Sequence, residues 1–251
     1  MTDSQNKTES QTTKSPDTTA PVILSLEASG EHASIALLRA TDILAEARID
    51  QRHGHASHFV SLADTCVKQA GLSFSAIDLV AGGVGPGSFT GLRVCLSAAT
   101  GFALAGGLPS VGINGLAARA FAARQMLHQT NTPFDHIISL CDTRRGVYFA
   151  QIYDRQLNPV SDITEADMTK ASAMADTTKG ITFLAVPPFE DDSAQSALAP
   201  SAFITQMTAS HIGQLAYHHW QAHTDKSADL PPLAPLYVAA PKLGPQKTPS
   251  S

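Results

Sequence analysis

The stretch from residue 77 to residue 103 constrains the fold more than any other part of the chain. Ile77–Val84 is a short segment that is apolar apart from Asp78, which predicts a buried strand. It leads directly into the glycine-rich loop Gly85–Gly91. Apolar residues then recur at helical spacing from Leu92 to Ala103, and a Gly-Gly pair follows as a helix end. A strand, a loop and a helix in this order predict an α/β lobe.

The segments on either side extend the same architecture. Val22–Leu26, Ala33–Leu38 and Ile43–Ile49 are apolar runs joined by short turns, which predicts an antiparallel meander. A second lobe repeats this plan more loosely, whereas residues 154–180 show no assignable pattern. The other predicted elements are helices over Phe59–Ala70, Leu116–Leu127 and Ile212–Trp220, and strands at Val111–Ile113, Ile137–Cys141, Val147–Tyr153 and Ile181–Val186.

Composition and charge narrow the class of protein. The chain has 251 residues and a formal net charge of −5, so it has no broad basic field that could hold a nucleic acid unaided. Its 3 cysteines are widely spaced, which favours free thiols in a reducing compartment over a disulfide framework. Residues 1–20 predict a disordered tail without a signal segment, and no apolar run is long enough to span a bilayer. These features predict a cytosolic protein.

The loop Gly85–Gly91 admits two interpretations. Backbone N–H groups between a strand and a helix N-terminus can bind an anion, and Ser88 or Thr90 can cap the helix. The Lys-Ser/Thr ending of a Walker loop is absent, so the loop is not a P-loop. A tight strand-to-helix turn without a ligand fits the same residues, because glycines are needed wherever backbones approach closely. The residues alone leave both interpretations open.

Carboxylates follow two of the predicted strands. Glu27 ends the first strand just before Ser29, and Asp142 ends another just before Arg144 and Arg145. Two carboxylates that face a cleft would suit magnesium and phosphate, and the arginines could bind an anion. Turn capping by acidic and serine side chains, with solvated arginines, explains the same residues.

Three closely spaced histidines, His53, His55 and His58, raise the question of a metal site. Metal-binding His pairs on helices lie one turn apart. Here the spacings are two and three, across Gly54 and at a helix start, with no Cys or carboxylate cluster nearby. We therefore expect no metal site, and we expect Ser57 to cap the helix.

Five segments together resemble the TsaB family, also called YeaZ. The most specific is Gly85-Pro86-Gly87-Ser88-Phe89-Thr90-Gly91-Leu92-Arg93, and the other four support it by their order and spacing. The resemblance covers roughly residues 22–150 and then thins out until the last segment. The other segments are Ile23-Leu24-Ser25-Leu26-Glu27-Ala28-Ser29, Val111-Gly112-Ile113-Asn114-Gly115-Leu116, Asp142-Thr143-Arg144-Arg145-Gly146-Val147-Tyr148 and Pro235-Leu236-Tyr237-Val238.

The resemblance implies a two-lobed actin/Hsp70/sugar-kinase-like (ASKHA) fold, with mixed sheets flanked by helices. We place the lobes at residues 21–108 and 109–240, followed by a flexible C-terminus at 241–251. The resemblance also implies a role in forming N6-threonylcarbamoyladenosine next to the anticodon of tRNAs that read codons starting with A. In that family a paralogous subunit, TsaD, carries out the transfer with TsaE as an ATPase partner. The TsaB-like protein is non-catalytic, pairs with TsaD through its N-terminal lobe and meets tRNA only through the complex. Whether the chain forms a homodimer when the partner is absent stays open.

Two departures from the family pattern argue against nucleotide chemistry. Glu27 stands where the family usually has Asp, so an extra methylene disturbs any ancestral phosphate geometry, and Tyr237-Val238-Ala239 lacks the family's Arg. The main alternative is an independent ATP-dependent phosphotransferase of the ASKHA class; a metallopeptidase would need metal ligands that we do not assign. We expect no intrinsic cofactor, and leave ATP or ADP at the subunit junction open. The vestigial nucleotide cleft is assigned to Glu27, Ser29, Gly85, Gly87, Ser88 and Asp142.

The expected partner surface lies on the two helices of the first lobe. Each buries one stripe, and its other face carries small or neutral side chains that let another helix approach at low desolvation cost. The alternative is that sheet or loop of the same chain covers these faces. The expected interface residues are Ser61, Thr65, Ser97, Ala98, Thr100 and Gly101.

Overall fold

The structure, a computed structural model, describes residues 19–30, 32–49, 58–188, 201–222 and 230–238. Within these ranges the chain forms two five-stranded mixed sheets flanked by helices. The predicted disordered tail falls on residues 1–20, of which only the last two are described. The predicted flexible segment 241–251 lies wholly outside the described residues.

The first sheet has the strand order β3-β2-β1-β4-β5. Its first three strands pair antiparallel as the predicted meander, and β4 and β5 extend it in parallel beside β1. The elements are β1 (Val22–Glu27), β2 (Ala33–Arg39), β3 (Asp42–Ile49), α1 (His58–Gln69), β4 (Leu79–Gly85), α2 (Phe89–Gly106) and β5 (Ser110–Asn114).

The second sheet repeats this topology with the order β8-β7-β6-β9-β10. Again three antiparallel strands form a meander, and two further strands continue in parallel from its first strand. The elements are α3 (Gly115–Gln129), β6 (His136–Asp142), β7 (Tyr148–Asp154), β8 (Thr164–Ala166), α4 (Met168–Thr177), β9 (Thr182–Val186), β10 (Ala202–Ile204) and α5 (Ala209–Ala222).

Helices cover both faces of the first sheet. On one face α1 and α2 bury Phe59, Cys66, Cys95 and Ala99 against strand residues such as Leu24. On the other face α5, the last described helix, packs against β1 and β4. Helix α3, which follows the first sheet, packs mainly on the second sheet. Two mixed sheets flanked by helices confirm the predicted α/β fold of two related lobes.

One lobe boundary and three short elements differ from the sequence prediction. β5 was assigned to the second lobe by the boundary at residues 108 and 109, but it is the edge strand of the first sheet, parallel to β4. β8, α4 and β10 were not predicted, because the two strands have three residues each and α4 buries only Ala171. Short, half-exposed elements carry no periodicity that a sequence pattern can detect.

Helix α2 is unusual in its composition. Among the described residues it is the one helix long and apolar enough to cross a membrane by length and composition, although only 33% of it is buried. Its sole charged residue is Arg93. Here α2 packs against the first sheet through Leu92, Cys95 and Ala99.

Candidate functional site

The glycine-rich loop packs directly against the turn between β1 and β2. The Ser88 N–H donates to the Ser29 carbonyl oxygen at 2.9 Å. The α-carbon of Gly87 lies against Ser29, and that of Gly91 lies against the carbonyl oxygen of Ala28. A side chain at either glycine would collide with this backbone, so the turn fills the space that the glycines leave open.

The start of α2 explains the remaining residues of the loop. Gly85 has a φ of +91°, a left-handed conformation that favours glycine. The Ser88 hydroxyl accepts a hydrogen bond from the Gly91 N–H at 3.2 Å, which caps the helix as predicted for this position. The loop is therefore a close-packed strand-to-helix connection.

The carboxylate of Glu27 closes its own turn. Its side chain is 1% exposed, and Oε1 accepts hydrogen bonds from the Ser29 N–H at 2.6 Å and the Ser29 hydroxyl at 2.5 Å. The Gly30 N–H also donates to Oε1, at 3.1 Å. The other oxygen, Oε2, lies against the α-carbon of Gly83. The donors of this turn are thus directed at a protein carboxylate.

The buried Glu27 also affects a neighbouring thiol. Burial, reinforced by the negative charge of Glu27, raises the pKa of Cys95 well above its ordinary value. Cys95 is fully buried on α2, so it is held as the neutral thiol.

Asp142 does not join this cluster. Its strand reaches the glycine-rich loop, since the Cys141 thiol donates to the Pro86 carbonyl oxygen at 3.2 Å. The Asp142 side chain, however, is exposed, and its Oδ1 accepts from the Arg144 N–H at 2.6 Å within its own turn. The structure therefore brings five of the six predicted cleft residues together, namely Glu27, Ser29, Gly85, Gly87 and Ser88.

Three contacts of this site were missed from the sequence. The Arg93 guanidinium carbon lies 3.8 Å from the centroid of the Phe89 ring. The centroid of the Tyr237 ring, from the end of the described chain, lies 6.0 Å from the Phe89 centroid. The third is the close approach of Glu27 to Gly83. The available signal for the last was Gly83 itself, because a glycine inside a strand indicates close approach of another group.

The segment that carries Tyr237, residues 230–238, is hydrogen-bonded to the first sheet. The Gly112 N–H donates to the Pro231 carbonyl oxygen at 2.9 Å, and the Leu236 N–H donates to the Val84 carbonyl oxygen at 2.8 Å. Residues 230–238 form no helix or strand, and these hydrogen bonds attach them to β4 and β5.

Five of the six expected partner residues are exposed. They are Ser61 and Thr65 on α1, and Ser97, Thr100 and Gly101 on α2. Leu104, which was not predicted, continues the α2 face and is 78% exposed. The α1 face also carries an exposed ion pair, in which the Lys68 ammonium lies 2.6 Å from the Asp64 carboxylate. The uncharged character that we predicted for both faces therefore holds on α2 and not on α1.

Ala98 differs from the other five residues. It is partly buried and packs against the core under α1 and α2. The prediction that its side chain faces solvent is wrong, because it lies on the flank of α2 where the helix meets its own lobe.

No group of three or more His, Cys, Asp or Glu side chains capable of holding a metal occurs among the described residues. His53 and His55 lie outside those residues, as does the predicted cap Ser57, and His58 is exposed at the start of α1. The sequence does contain one His-x-x-x-His spacing, His219 and His223, but His223 is also outside the described residues.

Comparison with known proteins identifies the relatives. A family model described as TsaD, tRNA N6-adenosine threonylcarbamoyltransferase, matches residues 42–228. The chain is 35% identical over 131 residues to a Haemophilus influenzae protein named tRNA threonylcarbamoyladenosine biosynthesis protein TsaB, covering 52% of this chain and 53% of that protein. It is 30% identical to the Escherichia coli protein of the same name, covering 55% and 57%. The matches thus span about half the length of these curated relatives.

The fold has a solved counterpart. A Pseudomonas aeruginosa crystal structure, titled as an uncharacterized protein with similarity to peptidase YEAZ, superposes with a TM-score of 0.68. The identity is 21%, and the superposition covers 87% of this chain and 100% of the other. The likeness therefore extends over both lobes. Since the family model spans most of the chain, this chain belongs to the TsaD family.

Proposed function

We propose that this chain is the non-catalytic partner subunit of the complex that forms N6-threonylcarbamoyladenosine next to the anticodon of tRNAs reading codons that start with A. The catalytic subunit is a TsaD-like protein, a TsaE-like ATPase completes the complex, and all three act in the cytoplasm. Family membership and the names of the curated relatives support the pathway.

The observation that carries the scaffold role is the outer face of α2. Ser97, Thr100, Gly101 and Leu104 form an exposed, uncharged strip on a helix whose one charged residue lies near its start. A small, uncharged helix face loses little on desolvation and lets a second helix approach closely. The first sheet covers only the opposite side of α2, so this strip suits a partner subunit.

The hydrogen bonds of Glu27 support the proposal that this subunit is not catalytic. A phosphotransferase of this class would direct the turn after β1 at phosphate. Here the N–H groups of Ser29 and Gly30 already donate to the Glu27 carboxylate, and an anionic phosphate would meet that buried negative charge. If ATP or ADP participates, we therefore place it at the junction with the partner and not in this turn.

Gly101 offers a clean test of the interface. A side-chain carbon built on it would meet no atom within 4 Å in the described part of the chain, so Gly101→Arg should leave the subunit folded. Replacing a helical glycine should even stabilise α2, by roughly 0.5–1 kcal/mol for the alanine. An arginine in the contact should cost about 2 kcal/mol or more of binding to the partner.

The experiment compares Gly101→Arg with the matched control Gly101→Ala. Each variant is mixed with the TsaD-like partner, and complex formation is measured by calorimetry alongside threonylcarbamoyl transfer to tRNA. We expect the alanine variant to behave as the wild type, and the arginine variant to lose binding and transfer while its melting temperature is maintained. Full binding by Gly101→Arg would overturn the interface, and transfer by this chain alone would overturn the non-catalytic assignment.

A further inference from the structure

The second lobe carries a cationic surface built on two buried rings. Phe121 on α3 and Phe134 before β6 are 4% and 3% exposed. The guanidinium carbon of Arg124 lies 5.3 Å from the Phe121 ring centroid, and that of Arg155 lies 5.8 Å from the Phe134 centroid. The two arginines meet, because Arg124 Nη1 donates to the Arg155 carbonyl oxygen at 3.4 Å. Each guanidinium plane is thus supported by a ring.

Two imidazoles flank the arginines on the same rings. The His128 ring packs edge-on against Phe134 at 5.7 Å, and the His218 ring packs against Phe121 at 6.2 Å. Arg124 is half-buried, and the other three cationic or titratable side chains are exposed. We define the arginine–histidine surface as Arg124, His128, Arg155 and His218.

The charged groups next to the two arginines decide whether the arginines can bind an anion. Neither arginine forms an ion pair with a carboxylate among the described residues. The pKa of His218 is lowered by burial and by the charge of Arg124. The carboxylate next to Arg155 in the chain, Asp154, is occupied by its own turn, since it accepts hydrogen bonds from the Gln156 and Asn158 N–H groups at 2.9 and 2.8 Å. The arginines are therefore available to an external anion.

We propose that the arginine–histidine surface binds the phosphate backbone of the tRNA. This inference rests on the proposed function and goes beyond it, because that function leaves tRNA contact to the complex. A guanidinium group can donate two parallel hydrogen bonds to phosphate oxygens. An arginine that already packs on an aromatic ring loses less conformational freedom on binding than a mobile side chain. In a chain of net charge −5, RNA binding must depend on such a local surface.

The position of the surface allows RNA and the partner to bind together. α1 and α2 cover one face of the first sheet, and α5 covers the other. The arginine–histidine surface lies on α3, α5 and the turn after β7, so the first sheet separates it from the α2 strip. A tRNA held here would not compete with a subunit docked on α2.

The test measures binding of the full chain to a fluorescently labelled, unmodified tRNA transcript over a series of salt concentrations. The test variant is Arg124→Gln with Arg155→Gln, and the control, Lys170→Gln with Lys179→Gln, removes the same charge from the same lobe. The test variant should bind about tenfold more weakly at low salt, and its plot of log affinity against log salt should be shallower by roughly 1–2. The control should stay within about twofold of the wild type, as expected of lysines that touch no phosphate.

Two further measurements keep the result interpretable. Arg124→Lys with Arg155→Lys keeps the charge, so it should retain most of the salt dependence while losing affinity, and circular dichroism should show all variants folded. Equal tRNA affinity for the wild type and the Gln variant, or no tRNA binding by the wild type at low salt, would overturn the proposal. The proposal would also be overturned if the Gln variant kept its affinity for tRNA but lost affinity for polyglutamate, because the surface would then bind an acidic protein. Partner binding, measured separately with the Gly101 variants, tests the proposed function independently.

Discussion

Replacing Glu27 distinguishes a carboxylate that closes its own turn from one that binds nucleotide. In Glu27→Ala, the Ser29 N–H, the Ser29 hydroxyl and the Gly30 N–H lose their shared acceptor in a site that solvent hardly reaches. A buried donor left without an acceptor costs about 1–3 kcal/mol, so losing the acceptor of all three should cost roughly 3 kcal/mol or more. Glu27→Gln keeps a carbonyl oxygen as acceptor and should lose only the charge-assisted part, about 1–2 kcal/mol.

The assay is urea unfolding followed by circular dichroism. Ser29→Ala removes one of the three donors and should cost about 1 kcal/mol. The matched control is Glu165→Ala, whose exposed carboxylate lies 3.6 Å from Arg145, and a surface pair of this kind contributes at most about 1 kcal/mol. The order of destabilisation should therefore be Glu27→Ala, then Glu27→Gln, then Ser29→Ala and the control.

Two results would refute this reasoning. One is a Glu27→Ala variant no less stable than the Glu165→Ala control, since the carboxylate would then contribute nothing to the fold. The other is a rise in the wild-type unfolding midpoint with millimolar MgATP, because a ligand that binds the folded state stabilises it by mass action. The phosphotransferase alternative predicts that rise, and its loss in Glu27→Ala.

Four other outcomes follow from the same geometry. Burial, with the charge of Glu46, raises the pKa of Cys66 to about 11, so iodoacetamide at pH 8.5 should modify Cys66 and Cys95 only after urea unfolding, as mass spectrometry can show. Because unfolded thiols ionise from about pH 9 and the folded ones do not, stability should fall as pH rises from 9 to 11. Gly87→Ala places a methyl group against the Ser29 carbonyl and should cost about 1–3 kcal/mol in urea unfolding. Leu233→Ala should cost about 2 kcal/mol, and no loss would show that residues 230–238 do not stabilise the first lobe.

Much of the fold could be predicted from local patterns. The three strands of the meander and α1 carry strong periodicity, and they occur within one residue of their predicted bounds. α2 was predicted from Leu92 to Ala103 and extends three residues further at each end. β5 was placed in the wrong lobe because a five-residue strand shows neither its sheet nor its partner. Its pairing with β4 depends on chain reversal through α2, which is long-range information.

The candidate site was predictable in membership but not in chemistry. The sequence identified Glu27, Ser29 and the glycine-rich loop as neighbours, whereas the direction of the Glu27 carboxylate depends on one methylene and on the space at Gly83. The contact between the Tyr237 and Phe89 rings joins residues that are far apart in the chain, and no local pattern could indicate it. Ala98 was misplaced for a related reason, since helical periodicity alone does not fix where a flank becomes buried.

The repeated topology explains why Glu27 and Asp142 looked alike in the sequence. Each ends the first strand of its lobe's meander, β1 and β6, and each carboxylate accepts a hydrogen bond from the N–H two residues later, on Ser29 and on Arg144. Both therefore perform the same turn closure. The two carboxylates differ in burial. The glycine-rich loop packs on the turn after β1 and buries Glu27, whereas Asp142 remains exposed. Any anion binding in this chain should therefore involve the second lobe. There the charge of the Asp142 carboxylate is screened by solvent, and Arg144 and Arg145 are exposed.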